Sequence, residues 1–366
     1  MELFVCTNVM QVLSALLICE SERRINSNLL AKFVLFDLQG RNLKDLKQKL
    51  EALSFVDAVD YYSKSELSGI NFHLWVKNEK LRRRYSFFDS VLYTIKLRRK
   101  RFADVVTDLI LNGMEKSIRR VFWFTSSFVI FNLVDKVRMN GAKSILLDEG
   151  VASYLSLVGD KREGRYEERY LLEPRLYSGE PCAIKKIDTK MLGEPWFNEI
   201  LGNIFATTKR YKFEQVLWIA QHYQRDFGCL KGVDNAHKLV FDLFCKKMIQ
   251  SGIRFEFREH PSGSDSVKRM AERIPICFIA PKSSIPFELE SFFGLRDVPK
   301  SIYTISSTAG VFCHILFPDL FGKTKCYFYV NVFAKNLGVS IEELHPGIDG
   351  FLKRARSLWP DNIEIL

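Results

Sequence analysis

Ser144-Ile-Leu-Leu147 runs straight into Asp148-Glu149-Gly150. The same arrangement recurs twice further along. Arg254-Phe-Glu-Phe-Arg258 leads past Glu259 to His260-Pro261, and Ser301-Ile-Tyr-Thr-Ile305 leads to Ser306-Ser307-Thr308. Each time a strand-length run gives way to a polar cluster. Ligands of open parallel sheets bind outside the carboxyl ends of strands. Three such endings therefore bring an acid pair, an imidazole and a group of hydroxyls to the place where a ligand is expected.

Working outward from Ser144, strand-like and helix-like stretches alternate. Leu3 to Cys6, Lys32 to Leu38, Phe55 to Tyr62 and Val121 to Ser126 are short β-branched or aromatic runs. Val9 to Cys19, Leu43 to Leu53, Lys77 to Arg101 and Phe128 to Met139 read as helices between them. Such alternation implies parallel sheets with right-handed crossovers. The charged, aromatic stretch 160–177 breaks the rhythm and reads as an excursion or hairpin. Ala206-Thr-Thr-Lys-Arg-Tyr-Lys212 is a polar break, after which the alternation restarts at Gln215 and continues to Val330. The expected fold is α/β, with two Rossmann-like domains facing across a cleft. The expected division is 1–206 and 213–366.

A chain of 366 residues, 47% hydrophobic, suits two domains with sizeable cores. Its eight cysteines, at 6, 19, 182, 229, 245, 277, 313 and 326, never stand at C-x-x-C spacing. They read as reduced, buried thiols of a cytoplasmic protein rather than a disulfide framework. The apolar Val9 to Cys19 is preceded by Glu2 and no basic residue, so it reads as the helix of a first βα unit, capped by Thr7 or Asn8, and not as a signal peptide. No run reaches the roughly 18 apolar residues of a membrane span. The net charge of +11 is concentrated: Lys77 to Arg101 holds ten Lys/Arg against Glu79 and Asp89. Phe87, Phe88, Val91, Leu92 and Ile95 fall on one side of that helical pattern. Three readings stay open for it: a solvated surface helix, an anionic membrane surface, or nucleic acid. No nucleic-acid-binding motif accompanies the patch.

Each polar ending has a chemical reading and a bland one. Asp148 or Glu149 at a strand end can act as a general base, and Gly150 lets the backbone turn. The same residues also make an ordinary turn or helix cap. Pro261 forces His260 towards an extended backbone, so its imidazole projects where it can donate to a phosphate. The bland reading is a loop histidine. A second pair, His345-Pro346, follows the helical Ser340 to Leu344 and reads as a helix terminator. Ser306, Ser307 and Thr308 precede a helix, where hydroxyls and free N–H groups form an anion site or simply a cap. Glu288, after Pro286-Phe287, can hold ribose hydroxyls or serve as a first-turn acid favoured by the helix dipole. The sequence lacks G-x-G-x-x-G, a Walker loop, G-x-S-x-G, H-E-x-x-H and Asp-x-Asp, so dinucleotide, ATP, serine-hydrolase and metal-assisted chemistries have no motif behind them.

The order of acid pair plus Gly, then His-Pro, then a Ser/Thr cluster resembles bacterial sialyltransferases. Leu3-Phe-Val-Cys-Thr7 with Gln11, and Pro286-Phe-Glu-Leu289, are most similar to the lipooligosaccharide sialyltransferase family, glycosyltransferase family 52. The resemblance implies a GT-B fold and inverting transfer from CMP-sialic acid, with 1–206 as the acceptor-side domain carrying the general base and 213–366 as the CMP-sugar-binding domain. By motif it implies Asp148 as general base and His260, with Pro261, as the acid at the phosphate. It likewise implies Ser306 and Ser307, with Thr308, as the phosphate cradle and Glu288 as the ribose contact; Glu149 and Gly150 complete the acid motif. No metal or other cofactor is implied, because CMP carries a single phosphate that a histidine and hydroxyls can hold. The partners implied are the CMP-sugar donor, a galactose-terminated glycan or glycolipid acceptor, an anionic membrane surface met by 77–101, and a second copy of the chain, with no nucleic acid. The location implied is cytoplasmic, peripheral at the inner face of the cytoplasmic membrane. Two other functions fit the same residues. One is a related GT-B transferase for another CMP-activated acidic sugar, or a capsule polymerase. The other is a catalytically silent membrane-surface binding protein.

Overall fold

The computed structural model describes residues 1–366 apart from 38–42, 64, 68–99, 126, 156–161, 180, 206–213, 222–230, 260–264 and 282–284. Seven strands form a first sheet: β1 (Glu2–Cys6), β2 (Ala31–Asp37), β3 (Val56–Ser63), β4 (Arg120–Trp123), β5 (Lys143–Leu147), β6 (Glu168–Leu171) and β7 (Ala183–Lys186). Their order is β3-β2-β1-β4-β5-β6-β7, and every pair is parallel. Strands buried on both faces need continuous apolar runs rather than alternation, and β1 and β2 are buried throughout. On one face Phe33, Phe4 and Phe122 stand in register across β2, β1 and β4 and stack at 5.3 and 4.5 Å. On the other, Leu3, Val5, Val121 and Trp123 pack with Ile130, Leu133, Val134 and Val137 of the helix Phe128–Met139. That helix has the limits its periodicity sets, because Ser127 caps it by accepting from the Ile130 amide.

The stretch 160–177 is not a hairpin: it contains β6, parallel to β5 on one side and β7 on the other. Its charges conceal the strand in the sequence. They are met sideways, since Glu168 accepts Lys143 Nζ of β5 at 2.5 Å and pairs with Lys185 of β7 at 3.5 Å.

A second parallel sheet follows, made of β8 (Val216–Ile219), β9 (Phe255–Arg258), β10 (Cys277–Ile279), β11 (Ser301–Thr304), β12 (Lys325–Phe328) and β13 (Ile363–Ile365). Its order is β10-β9-β8-β11-β12-β13. Trp218 of β8, fully buried, packs on Phe241 and Phe244 of the helix Val233–Gln250 at 5.2 and 4.8 Å. In both sheets the strand that comes first in the chain lies inside the sheet and the order reverses beside it, between β1 and β4 and between β8 and β11. This is the doubly wound pattern, so the expected α/β class with two Rossmann-like domains is the one observed.

By compactness the chain divides into two units. The first is Met1–Glu149, Gly159–Leu172 and Pro181–Asp188; the second is Gly150–Val158, Glu173–Glu180 and Thr189–Leu366. A single cut between 206 and 213 would leave three segments of the second unit with the first. None of the seven cysteines among the described residues forms a disulfide with another of them, and five are buried. No helix among the described residues is long and apolar enough to cross a membrane. Of the basic segment 77–101, only Lys100 and Arg101 lie within the described residues.

Candidate functional site

In each sheet the reversal of strand order marks the crevice where ligands of doubly wound folds bind. In the first unit that crevice lies beyond β1 and β4. Thr7 and Asn8 turn the chain out of β1. Asn8 is extended (φ −152°, ψ 167°), and its Oδ1 accepts the Gln11 amide at 2.8 Å, which starts the helix Val9–Arg23. Gln11, fully buried, ties two strand ends together, those of β1 and β5. Its Oε1 accepts the Thr7 amide at 2.6 Å, and its Nε2 donates to Glu149 Oε2 at 2.7 Å. Asn8 Nδ2 donates to the same carboxylate oxygen at 3.4 Å, and the hydroxyls of Thr7 and Thr125 meet at 2.6 Å. Glu149 is half-buried, its carboxylate held by amide donors at the mouth of the crevice. Gly150, at φ 126°, supplies a turn that other residues rarely adopt.

Asp148 behaves differently from its neighbour. Only 1% of it is exposed, and its Oδ2 accepts the Leu172 amide beyond β6 at 2.9 Å. Its own amide donates to the Tyr170 carbonyl at 3.0 Å. Of the acid pair, one carboxylate ties β5 to the end of β6 and the other reaches the crevice.

In the second unit the crevice lies beyond β8 and β11. Gln221 follows β8 and joins the two strand ends: its Oε1 accepts the Ser306 amide at 2.9 Å and the Ser306 hydroxyl at 2.8 Å. The Ser307 amide donates to Thr304 Oγ1 at 3.1 Å. Thr308 stands at the N-cap of the helix Ala309–Leu316 without making a side-chain cap bond. Its hydroxyl is therefore not used as a plain cap, and the first-turn amides of the helix have no carbonyl partner within it. Gly310 permits that helix to lie close to the sheet. A Cβ there would come within 2.6 Å of Cys326 Sγ on β12.

Glu288 sits on the short helix Phe287–Phe292 and is 7% exposed. Burial pushes its carboxyl up to about 7, opposed by the Arg258 guanidinium. Around it lies a network of buried charge. Arg258, the last residue of β9, makes a fork to Glu290 at 2.5 and 2.8 Å. Arg296 makes a second fork to Glu256 of β9 at 3.1 Å for each bond, with neither side chain exposed. The Phe287 ring lies 4.7 Å from the Arg296 guanidinium and 5.7 Å from that of Arg258.

The structure thus assembles two polar strand-end clusters. One holds Glu149 with Thr7, Asn8, Gln11 and Thr125; the other holds Ser306 and Ser307 with Gln221. It sets Asp148 apart as a buried tie. His260 and Pro261 lie outside the described residues. His345 follows the single-turn helix Ile341–Leu344, and its ring nitrogen lies 3.4 Å from the Pro346 carbonyl, as a helix terminator should. Gln221, Thr125 and the Arg258–Glu290 fork escape a motif search. The signal for Gln221 is its position, the first polar residue after the apolar Val216-Leu-Trp-Ile-Ala220.

No protein-family model matches the chain, and no curated protein matches it by sequence. Solved structures do resemble it. One is the 2,6-sialyltransferase of Photobacterium sp. JT-ISH-224, solved with the donor product CMP and the acceptor substrate lactose. The TM-score is 0.54 at 10% identity, over 100% of this chain and 78% of that one. Another is the UDP-GlcNAc 2-epimerase of Neisseria meningitidis bound to UDP-GlcNAc. There the TM-score is 0.50 at 12% identity, over 100% of this chain and 95% of that one. The likeness is one of fold: two Rossmann-like domains of the GT-B type.

Proposed function

We propose that this chain is an inverting glycosyltransferase that moves sialic acid from CMP-sialic acid to a glycan ending in galactose, as found in a lipooligosaccharide or capsule. The observations that carry the reading are two strand-end clusters, each within its own unit: a carboxylate held by amides in the first and a hydroxyl cluster opening a helix in the second. Inversion needs a base for the incoming hydroxyl and, on the far side of the sugar, stabilisation of the departing phosphate.

Glu149 is the base in this reading. Its carboxylate reaches the crevice, and Gln11 and Asn8 leave it oriented by donors that cannot take its proton. Asp148, the base by motif, is committed to the Leu172 amide. Ser306, Ser307 and Thr308, with the first-turn amides of Ala309–Leu316, receive the phosphate of CMP. Glu288 accepts the ribose hydroxyls. His260, two residues beyond β9 and followed by Pro261, protonates the phosphate as it leaves. No metal is needed in this scheme, since hydroxyls, amides and an imidazole meet the charge of a single phosphate. The 77–101 segment brings the enzyme to an anionic membrane carrying a glycolipid acceptor. The fold likeness to a sialyltransferase solved with CMP and lactose supports the choice of donor class.

The test is release of CMP from CMP-sialic acid with lactose as acceptor, run beside UDP-, GDP- and ADP-sugars. CMP release that depends on lactose supports the reading. Turnover of a UDP-sugar with no consumption of CMP-sialic acid would refute it.

A further inference from the structure

β9 is buried on both faces, but only one of them is apolar. Phe255 and Phe257 point to the helix Val233–Gln250, where Phe255 meets Phe244 at 4.8 Å and Phe257 meets Phe241 at 5.6 Å. Glu256 and Arg258 alternate with them and share the opposite face. Helix Phe287–Phe292 and the turn after it cover that face with Glu290 and Arg296. A buried ion pair is poor evidence for stability, because well-packed apolar residues usually stabilise as much or more. A sheet face carrying two forks calls for another reason, and their placement supplies one. Arg258 is the terminal residue of β9, at the carboxyl edge of the sheet. Glu290 is two residues from Glu288 on the covering helix. Arg258 Nη2 also reaches the Ile285 carbonyl at 3.4 Å, at the root of that helix.

We propose that Arg258 is a positioning residue: its fork to Glu290 fixes the height of the Phe287–Phe292 helix above the end of β9, and so aims Glu288 at the ribose of a nucleotide. This rests on the reading of Glu288 as the ribose contact. Arg258 does not touch the nucleotide. A guanidinium is needed because its two parallel donors fix both distance and angle, whereas an ammonium fixes only distance. The network also has a charge imbalance, with three carboxyls (Glu256, Glu288, Glu290) against two guanidiniums (Arg258, Arg296). Both guanidiniums are engaged in forks, which leaves Glu288 as the one of these carboxyls with no ion pair among the described residues and so available to a diol. Its elevated proton affinity fits that position.

The experiment compares CMP with 2′,3′-dideoxy-CMP by calorimetry. The wild-type chain should prefer CMP by about tenfold or more, since two ribose hydroxyls meet a buried carboxylate. Arg258→Lys should cut that preference at least fivefold while leaving dideoxy-CMP affinity within about twofold, and Glu290→Asp, which shortens the fork, should do the same. A purely structural role would weaken both nucleotides equally. Equal weakening, or an unchanged preference in both variants, overturns the proposal. If Arg258→Lys fails to fold, Glu290→Asp alone decides it. If the wild-type chain binds neither CMP nor UMP, the nucleotide reading itself falls and this proposal with it. If CMP binds well and the preference ignores both variants, only the positioning role is lost.

Discussion

The two members of the acid pair should fail in opposite ways when substituted. Glu149→Gln removes a base but leaves an acceptor oxygen for Gln11 Nε2, which now donates to it at 2.7 Å. Loss of a general base costs on the order of 10² or more in kcat, about 2.7 kcal/mol of barrier at roughly 1.36 kcal/mol per decade. Thermal stability should hardly change. Asp148→Asn acts on a buried bond, the Leu172 amide donating at 2.9 Å. A bond to a charged acceptor contributes about 1.5–3 kcal/mol, roughly twice a neutral one. Asparagine can still accept, so the loss is about 1 kcal/mol and about 2–4 °C in Tm for a domain of this size. Turnover by the folded Asp148→Asn protein should stay within about threefold of wild type, far above the 10² loss expected of a missing base. The assay is CMP release under saturating donor, beside calorimetric melting. A Glu149→Gln protein with near-normal kcat, together with an Asp148→Asn protein that melts normally but has lost activity, would reverse the assignment.

Four further outcomes are expected. Glu288 holds its proton up to about 7 in the folded chain against an ordinary 4.5, so the fold binds a proton that the unfolded chain has released between those values. Glu288 should therefore make stability fall as pH rises from about 4.5 to 7, by up to about 3 kcal/mol; Glu288→Gln should make that part of a urea-denaturation series shallower, the remaining slope coming from Glu256, which burial also pushes up to about 7. Gly310→Ala gains about 1 kcal/mol of helix propensity but drives a methyl to 2.6 Å from Cys326 Sγ. The overpacking cost of about 1–3 kcal/mol should make it net destabilising, and Cys326→Ala should rescue it in urea melts. Ser306→Ala with Ser307→Ala should weaken CMP binding by about 0.5–1.5 kcal/mol per lost bond, while transfer should survive excess EDTA in a CMP-release assay. Replacing Arg98, Arg99, Lys100 and Arg101 by Gln should reduce sedimentation with anionic liposomes at low salt and spare turnover on lactose.

What the sequence reveals follows from how strongly burial constrains it. β1, β2 and the helix Phe128–Met139 are legible because buried strands need unbroken apolar runs and a buried helix face needs its period. β6 is not, because Glu167-Glu-Arg-Tyr-Leu171 would be read as surface: no local signal announces that lysines two strands apart will meet its glutamate. The motif Asp148-Glu149-Gly150 is plain in one dimension, but which carboxylate faces the crevice depends on which one the Leu172 amide claims, 24 residues away. Gln221 lacks a motif because its importance comes from Ser306, 85 positions later. Gly310 looks like an indifferent helix residue until Cys326 is placed beneath it.

The interleaving of the two units has a practical consequence for anyone recombining this chain. It crosses from one unit to the other five times, at 149/150, 158/159, 172/173, 180/181 and 188/189. Tyr154, encoded in the first half, packs on Phe312 and Phe351 of the second unit at 6.0 and 5.8 Å, and Leu155 crowds Gly347. During synthesis these residues are made about 160 to 200 positions before their partners exist, so the second unit cannot close its core until the final helix is made. A chimera joined once at 206–213 would pair Tyr154 from one parent with Phe312 and Phe351 from another. A viable exchange has to carry 150–158, 173–180 and 189–205 along with the C-terminal half.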